Sequence, residues 1–340
     1  MLKQVQHDYF YMTLQELKSK IIKDLTPTSP SPKLDAEVLL SYCLGFSKTE
    51  LLLKRDYEVP SEKEAWLRDA TARRATGLPI AYITGHKEFY GYDFIVSPAV
   101  LIPKPDTEIL VERAVDVILS MMDARGENLL TVCDMCTGSG CIAIAVAKTL
   151  LEDERVSPEQ LPKFTLADIS EPALDIARRN VAELLGKSLA NSASPDNSLV
   201  LSRFNFVRTN LFDAITDAIK YDVILSNPPY IPHSMVDELL RDGRSEPRLA
   251  LDGDITLEGD RALASDGSGI PADDGLAIIR NLIPQALAHL APRGTVLMET
   301  GEYNAEATAS LAEAAGFNTE IHRDLEGQLR VVEAWIASSL

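Results

Sequence analysis

The residues best suited to chemistry are Ser226-Asn227-Pro228-Pro229-Tyr230, which follow the apolar run Asp222–Leu225. Two successive prolines stiffen a turn and remove two N–H donors, so the backbone there offers carbonyl acceptors. Asn227 adds a side-chain acceptor and Tyr230 a flat aromatic face. Together Asn227, Pro228, Pro229 and Tyr230 can grip a planar –NH2 group, with its two hydrogens on oxygen acceptors and its plane on the ring. Such a grip suits alkylation of a poor nucleophile. An amide nitrogen shares its lone pair with its carbonyl, and accepting its N–H bonds favours the positive charge that develops as it attacks. Catalysis would then rest on positioning and preorganised dipoles. No Ser-His-Asp set or carboxylate pair stands ready as a base. The plain alternative is a proline-rich turn after a strand.

A second set points to a cofactor. The run Leu129–Asp134 leads into Met135-Cys136-Thr137-Gly138-Ser139-Gly140 and then into an apolar helical pattern. Glycine lets the backbone approach a ligand in a strand-to-helix turn, and the helix N-terminus offers free N–H groups to an anion. The next strand-like run ends in Asp168, placed where an acid accepts hydrogen bonds from two ribose hydroxyls. The pair indicates a nucleoside-containing cofactor; by itself, a glycine-rich turn is also simply a tight turn. Nothing matches the P-loop pattern G-x-x-x-x-G-K-[ST].

The elements that must position these residues alternate. Helical spacing over Thr107–Met122 precedes the strand Leu129–Asp134, a helix Ile142–Leu151, a strand Phe164–Asp168 and a helix Pro172–Leu185. Strands at Phe204–Arg208 and Asp222–Ser226 follow, then a helix near Leu276–Leu290, a strand Thr295–Glu299 and a helix Ala305–Ala315. Thr319–Arg323 and Arg330–Ile336 close the chain as a strand pair. The pattern predicts a doubly wound, Rossmann-like α/β sheet, mostly parallel with one antiparallel strand.

Ahead of it, residues 12–78 predict a helical bundle: Leu14, Leu17, Ile21, Ile22 and Leu25 recur at helical spacing, and Ser31-Pro32 reads as a cap. Ser47 with Glu50 and Ser61 with Glu64 fit capping boxes. Residues 1–11 read as a loose extension, with Met12 a second possible start. Residues 79–105, with Tyr82-Ile83-Thr84-Gly85 and Phe89–Val96, read as a β-hairpin linker, and 106–340 as the α/β domain. Two stretches, Lys187–Ser198 and Asp254–Asp274, read as inserted surface loops.

Composition narrows the class. Of 340 residues 46% are apolar and 25% charged, as in globular proteins. No run approaches the roughly 18 apolar residues of a membrane span, and the start lacks a secretory signal, so a cytoplasmic protein with no membrane partner is expected. Acids outnumber bases 51 to 33, for a net charge of −18, which disfavours a nucleic-acid substrate because phosphate binding needs Lys and Arg. The cysteines Cys133, Cys136 and Cys141 crowd one turn, but zinc would need further ligands that the sequence does not group. No metal is expected, and nothing suggests an obligate apolar interface, so the expected state is a monomer.

In combination, several motifs make the chain similar to the HemK/PrmC family of protein-(glutamine-N5) methyltransferases that modify peptide chain release factors. They are Pro79–Gly85, Glu88–Gly91, Leu101-Ile102-Pro103-Lys104-Pro105-Asp106-Thr107-Glu108, Thr137–Gly140, Asn227–Tyr230, Glu246-Pro247-Arg248-Leu249-Ala250-Leu251 and Arg330-Val331-Val332. The likeness runs from about Leu14 to Trp335. It implies a class I S-adenosylmethionine (S-adenosyl-L-methionine) methyltransferase sheet with a small helical domain that docks the release factor. It also implies that Cys136, Thr137, Gly138, Ser139, Gly140 and Asp168 hold the cofactor, with Asn210 and Leu211 beside its adenine and Asn227 at its edge. The Asn-Pro-Pro-Tyr motif would take the glutamine of a Gly-Gly-Gln loop. Departures from the family pattern are Cys136 for glycine, Asn210 for aspartate, Lys104 and Asp106 for arginine and glutamate, and Asn304 for glutamine. The alternatives are glutamine methylation of a ribosomal protein, adenine-N6 methylation of nucleic acid, and a non-catalytic binding protein of the same fold.

Overall fold

The computed structural model describes residues 12–125, 129–186, 197–241, 245–255 and 273–336. The expected extension over 1–11, and most of the two expected inserts, lie outside the described residues. The chain divides into two compact units, Met1–Gly85 with Leu240–Ser245 and His86–Leu239 with Glu246–Leu340.

The first unit is helical: α1 (Leu14–Leu25), α2 (Pro32–Leu44), α3 (Lys48–Leu53), α4 (Ser61–Ala75) and α5 (Ile80–Thr84). Leu14, Leu17, Ile21 and Leu25 form the buried stripe of α1 and meet Leu39, Leu40, Leu67 and Ala70 in one core. The expected box at Ser47 and Glu50 caps α3, and an unforeseen one at Thr13 and Glu16 caps α1. Two expectations are corrected. Ser61 does not cap α4, because Pro60 takes the N-cap position and Ser61 already lies inside the helix. Tyr82-Ile83-Thr84 is not a strand of the hairpin. Pro79 starts a short helix there and Gly85, at φ 78°, ends it, so the proline-start and glycine-stop signals outweigh the β preference of Tyr, Ile and Thr. Ser31 occupies the N-cap of α2, but its hydroxyl goes to Asp35 at 3.4 Å instead of to the backbone.

The second unit begins with the hairpin β1 (His86–Phe89) and β2 (Tyr92–Ile95), turned by Tyr90 and Gly91 at φ 52° and 77°. Then come α6 (Glu108–Arg125), β3 (Thr131–Met135), α7 (Cys141–Glu152), β4 (Lys163–Asp168), α8 (Glu171–Leu184), α9 (Asn197–Leu201), β5 (Phe204–Arg208) and β6 (Tyr221–Ser226). The remainder is α10 (His233–Arg241), α11 (Ala277–His289), β7 (Leu290–Glu299), α12 (Ala305–Ala314), β8 (Asn318–Arg323) and β9 (Leu329–Trp335). The helix α10 was not foreseen in the sequence.

Among the described residues the sheet has seven strands, in the order β5-β4-β3-β6-β7-β9-β8. Of these seven strands only β9 runs antiparallel, inserted between β7 and β8; the sequence predicted one such strand. This is the class I methyltransferase sheet that the family likeness implied. Alternation along the strands serves both faces: Val132, Val223, Leu225 and Leu297 pack with α6 and α7, while Cys133, Met135, Ile224 and Val296 pack with α11. The strand order reverses between β3 and β6, the point at which such sheets open a crevice beyond their carboxyl ends.

Candidate functional site

Two turns flank that crevice. The first leaves β3 and enters α7. Gly140 caps α7 at φ 78°, and a Cβ on it would meet Ala177, Ile144 and Leu166 atoms at 3.2 Å. Glycine there allows both the left-handed turn and the close approach of helix to strand. Beneath the turn, the buried Asp134 accepts hydrogen bonds from the Thr137 hydroxyl at 2.7 Å and from Ala143 N–H at 3.3 Å. Burial pushes Asp134 up to about 7 despite those bonds.

Asp168, the last residue of β4, faces the turn. Its Oδ2 accepts Gly138 N–H and its Oδ1 accepts Ser170 N–H, both at 2.9 Å. A carboxylate oxygen has lone pairs beyond the one each bond uses, so this half-buried group can still take two hydroxyls from a ligand. Burial raises Asp168, and the N–H groups of Ser170 and Gly138 oppose the rise. After β5, the Asn210 amide donates to Asp213 at 3.0 Å, and Leu211 is buried at φ 47°.

The second turn leaves β6. The Ser226 hydroxyl donates to the Met135 carbonyl at 2.8 Å, tying the two turns together. Asn227 donates through Nδ2 to the Thr107 hydroxyl at 3.3 Å, which leaves its Oδ1 as the acceptor. The Tyr230 hydroxyl donates to Glu299 Oε1 at 3.2 Å, and the Tyr230 carbonyl accepts from Asn304 Nδ2 at 3.0 Å and the Tyr303 hydroxyl at 3.3 Å. Burial holds the Tyr230 phenol well above its ordinary value. Ile231 pairs with Asp252 in a short parallel bridge, so the segment Arg248–Asp252 braces the loop. Lys104 and Glu246 join the same region at 2.8 Å.

One cavity of about 640 Å³ opens between the turns, within the roughly 300–1,000 Å³ range of small-molecule sites. Of the residues singled out in the sequence, Cys136, Thr137, Gly138, Ser139, Asp168, Asn210, Leu211, Asn227 and Pro229 line it. Gly140, Pro228 and Tyr230 stand outside the lining. Cys136 is half-buried at φ 61°, a left-handed conformation that favours glycine. Burial raises its thiol far above the ordinary value, so it is a neutral wall of the cavity.

Sequence reasoning gave no role to Thr107, Asn281 or Gln285, which also line the cavity, or to Glu299 behind it. Glu299 ends β7, and a carboxyl strand end is where polar residues face a ligand. Asn281 and Gln285 stand four apart on α11, a spacing that puts both on one helix face.

Comparison with known proteins adds three findings. Residues 16–85 match the model of the PrmC N-terminal domain. A release factor glutamine methyltransferase of Burkholderia pseudomallei is 36% identical over 303 residues, covering 89% of this chain and 91% of its own. One of Koribacter versatilis is 36% identical over 323 residues, covering 94% and 98%.

Proposed function

The chain belongs to the release factor glutamine methyltransferase family, and from that premise we propose that it methylates the side-chain amide nitrogen, N5, of the glutamine in the Gly-Gly-Gln loop of a release factor. The observation that carries the reading is that the Asn227 acceptor and the Asp168 carboxylate line one cavity. The residues fit S-adenosylmethionine as donor: spare lone pairs on Asp168 match a ribose diol, and the N-terminus of α7 matches a carboxylate. S-adenosylmethionine supplies an electrophilic methyl group on a sulfonium.

In this reading Cys136, Thr137, Gly138 and Ser139 form the wall that receives the cofactor, and Gly140 shapes it from outside by capping α7. Asn210 and Leu211 flank its base, and Asn227 stands where cofactor and substrate meet. Asn227 Oδ1 accepts one N–H of the substrate amide, and the backbone at Pro228 and Pro229, which carries no N–H, leaves carbonyls for the other. Both bonds strengthen as positive charge grows on the nitrogen, so they favour the transition state over the bound substrate. The C–N bond would form as the sulfonium S–CH3 bond breaks, the sulfur keeping the electron pair as a neutral thioether, and the nitrogen would then lose one proton to water. Tyr230 holds the loop from behind through Glu299. The helical unit docks the release factor.

We further propose a cytoplasmic monomer whose substrate is protein. The net charge of −18 supports protein over nucleic acid. Among the described residues no helix is long and apolar enough to cross a membrane.

The test is transfer of label from S-adenosylmethionine to a purified release factor beside its Gln→Ala variant in the Gly-Gly-Gln loop, with ribosomal proteins and a DNA oligonucleotide in parallel. Label on the wild-type factor alone is expected. Label on a ribosomal protein or on DNA instead would overturn the substrate.

A further inference from the structure

Two motifs of the sequence, Leu101–Glu108 and Arg330-Val331-Val332, remain without a task in this reading, and the strand end at Glu299 has only its hold on Tyr230. They meet behind Asn227. Thr107 closes a short 3₁₀ turn, Pro105–Thr107, ahead of α6 and is 2% exposed. Its hydroxyl oxygen accepts Asn227 Nδ2. Glu299, also 2% exposed, takes the Tyr230 hydroxyl on Oε1, while its Oε2 makes no hydrogen bond among the described residues. Burial raises Glu299 to about 7. The Thr107 hydroxyl, the Arg330 charge and the Tyr230 hydroxyl pull it back toward the ionised form, and Asp106 opposes them. Arg330 is held in place by Asp324 at 3.0 Å and Asp106 at 3.4 Å.

The direction of this chain of contacts matters. A threonine hydroxyl has one proton and two lone pairs, and an ionised carboxylate only accepts. The Thr107 oxygen accepts from Asn227 Nδ2 at 3.3 Å and so commits a lone pair to that amide. The amide is then fixed with its NH2 toward Thr107 and Oδ1 toward the cavity. A flipped amide would present N–H donors to a substrate –NH2, donor against donor, and the substrate would lose its acceptor. We infer that Thr107 is a positioning residue that sets the orientation of the Asn227 amide and so makes Asn227 an acceptor. The inference rests on the proposed methylation of an amide nitrogen, and it assigns Thr107 no contact with the reacting atoms.

Thr107→Val keeps the shape and removes the acceptor; Thr107→Ser keeps the hydroxyl. In the valine variant kcat should fall about 100-fold, the scale of a misaligned reacting group, while affinity for S-adenosylmethionine stays within about 3-fold. The serine variant should retain kcat within about 3-fold of wild type. Valine-variant turnover equal to wild type, or a serine variant as slow as the valine one, would overturn the inference. If the valine variant does not fold, Thr107→Ala carries the same comparison.

A second readout needs no substrate. In ¹⁵N-labelled protein the Asn227 side-chain amide should exchange with water more slowly in the wild type than in the valine variant. Equal exchange overturns the positioning role. Failure of the wild type to label a release factor overturns only the substrate reading, so the two failures are distinguishable.

Discussion

The two turns at the crevice solve opposite problems with opposite residues. The turn after β3 loosens the backbone: Cys136, Gly138 and Gly140 all sit at positive φ, between 55° and 78°. Its Gly138 N–H serves the Asp168 carboxylate, those of Thr137 and Gly140 go to the carbonyls of Ala167 and Thr137, and the N-terminus of α7 behind it supplies further donors. The turn after β6 does the reverse. Pro228 and Pro229 withdraw donors and fix φ, so what faces a ligand is oxygen. The strands that carry the turns are parallel neighbours, and the Ser226 hydroxyl on the Met135 carbonyl locks them together. A donor-rich rim and an acceptor-rich rim thus share one cavity. The first suits carboxylate and ribose, the second an –NH2 group.

The comparison breaks most sharply at Asn227. Asn227→Ala should lower kcat by about 1,000-fold, the upper range for loss of one preorganised polar group. Binding of S-adenosylmethionine, followed by calorimetry, should stay close to wild type. Turnover near the wild-type value would remove the acceptor rim from the mechanism. The complementary change, Asp168→Ala, should act on the donor rim. Losing a charged acceptor of two hydroxyls should weaken cofactor affinity by about 100-fold, with kcat at saturating cofactor much less affected. Unchanged affinity would show that the ribose lies elsewhere.

The two rims were not equally legible in the sequence. Everything that makes the first turn is local: a strand, glycines within a few residues, and an apolar helix behind them. Asp168 was legible too, because it ends the next strand. The acceptor residues Asn227–Tyr230 were visible for the same reason. Their support was not, since Thr107 lies 120 positions from Asn227 and Glu299 69 from Tyr230. Only the sheet order brings those strand ends and the start of α6 together. Misreading Tyr82-Ile83-Thr84 as strand has a related cause, because side-chain preference spoke for β while the flanking Pro79 and Gly85 decided the helix.

The smallest effect sharpens the comparison within the loosened turn itself, where two positive-φ positions differ in what surrounds them. Gly140→Ala adds a Cβ that meets three apolar side-chain atoms at 3.2 Å in a left-handed conformation. Strain of about 1–2 kcal/mol and crowding of about 1–3 kcal/mol act together, so the variant should lose about 2–5 kcal/mol in denaturant unfolding. Cys136→Gly runs the other way. It releases a left-handed cost of about 1–2 kcal/mol but gives the unfolded chain about 0.4–1 kcal/mol of entropy and removes a half-buried thiol. The terms nearly cancel, and stability should stay within about 1 kcal/mol of wild type. If Cys136→Gly instead unfolds as readily as Gly140→Ala, the thiol is a packing element of the cavity wall. The donor rim would then depend on side-chain contacts as the acceptor rim does, and the contrast between the two turns would fail.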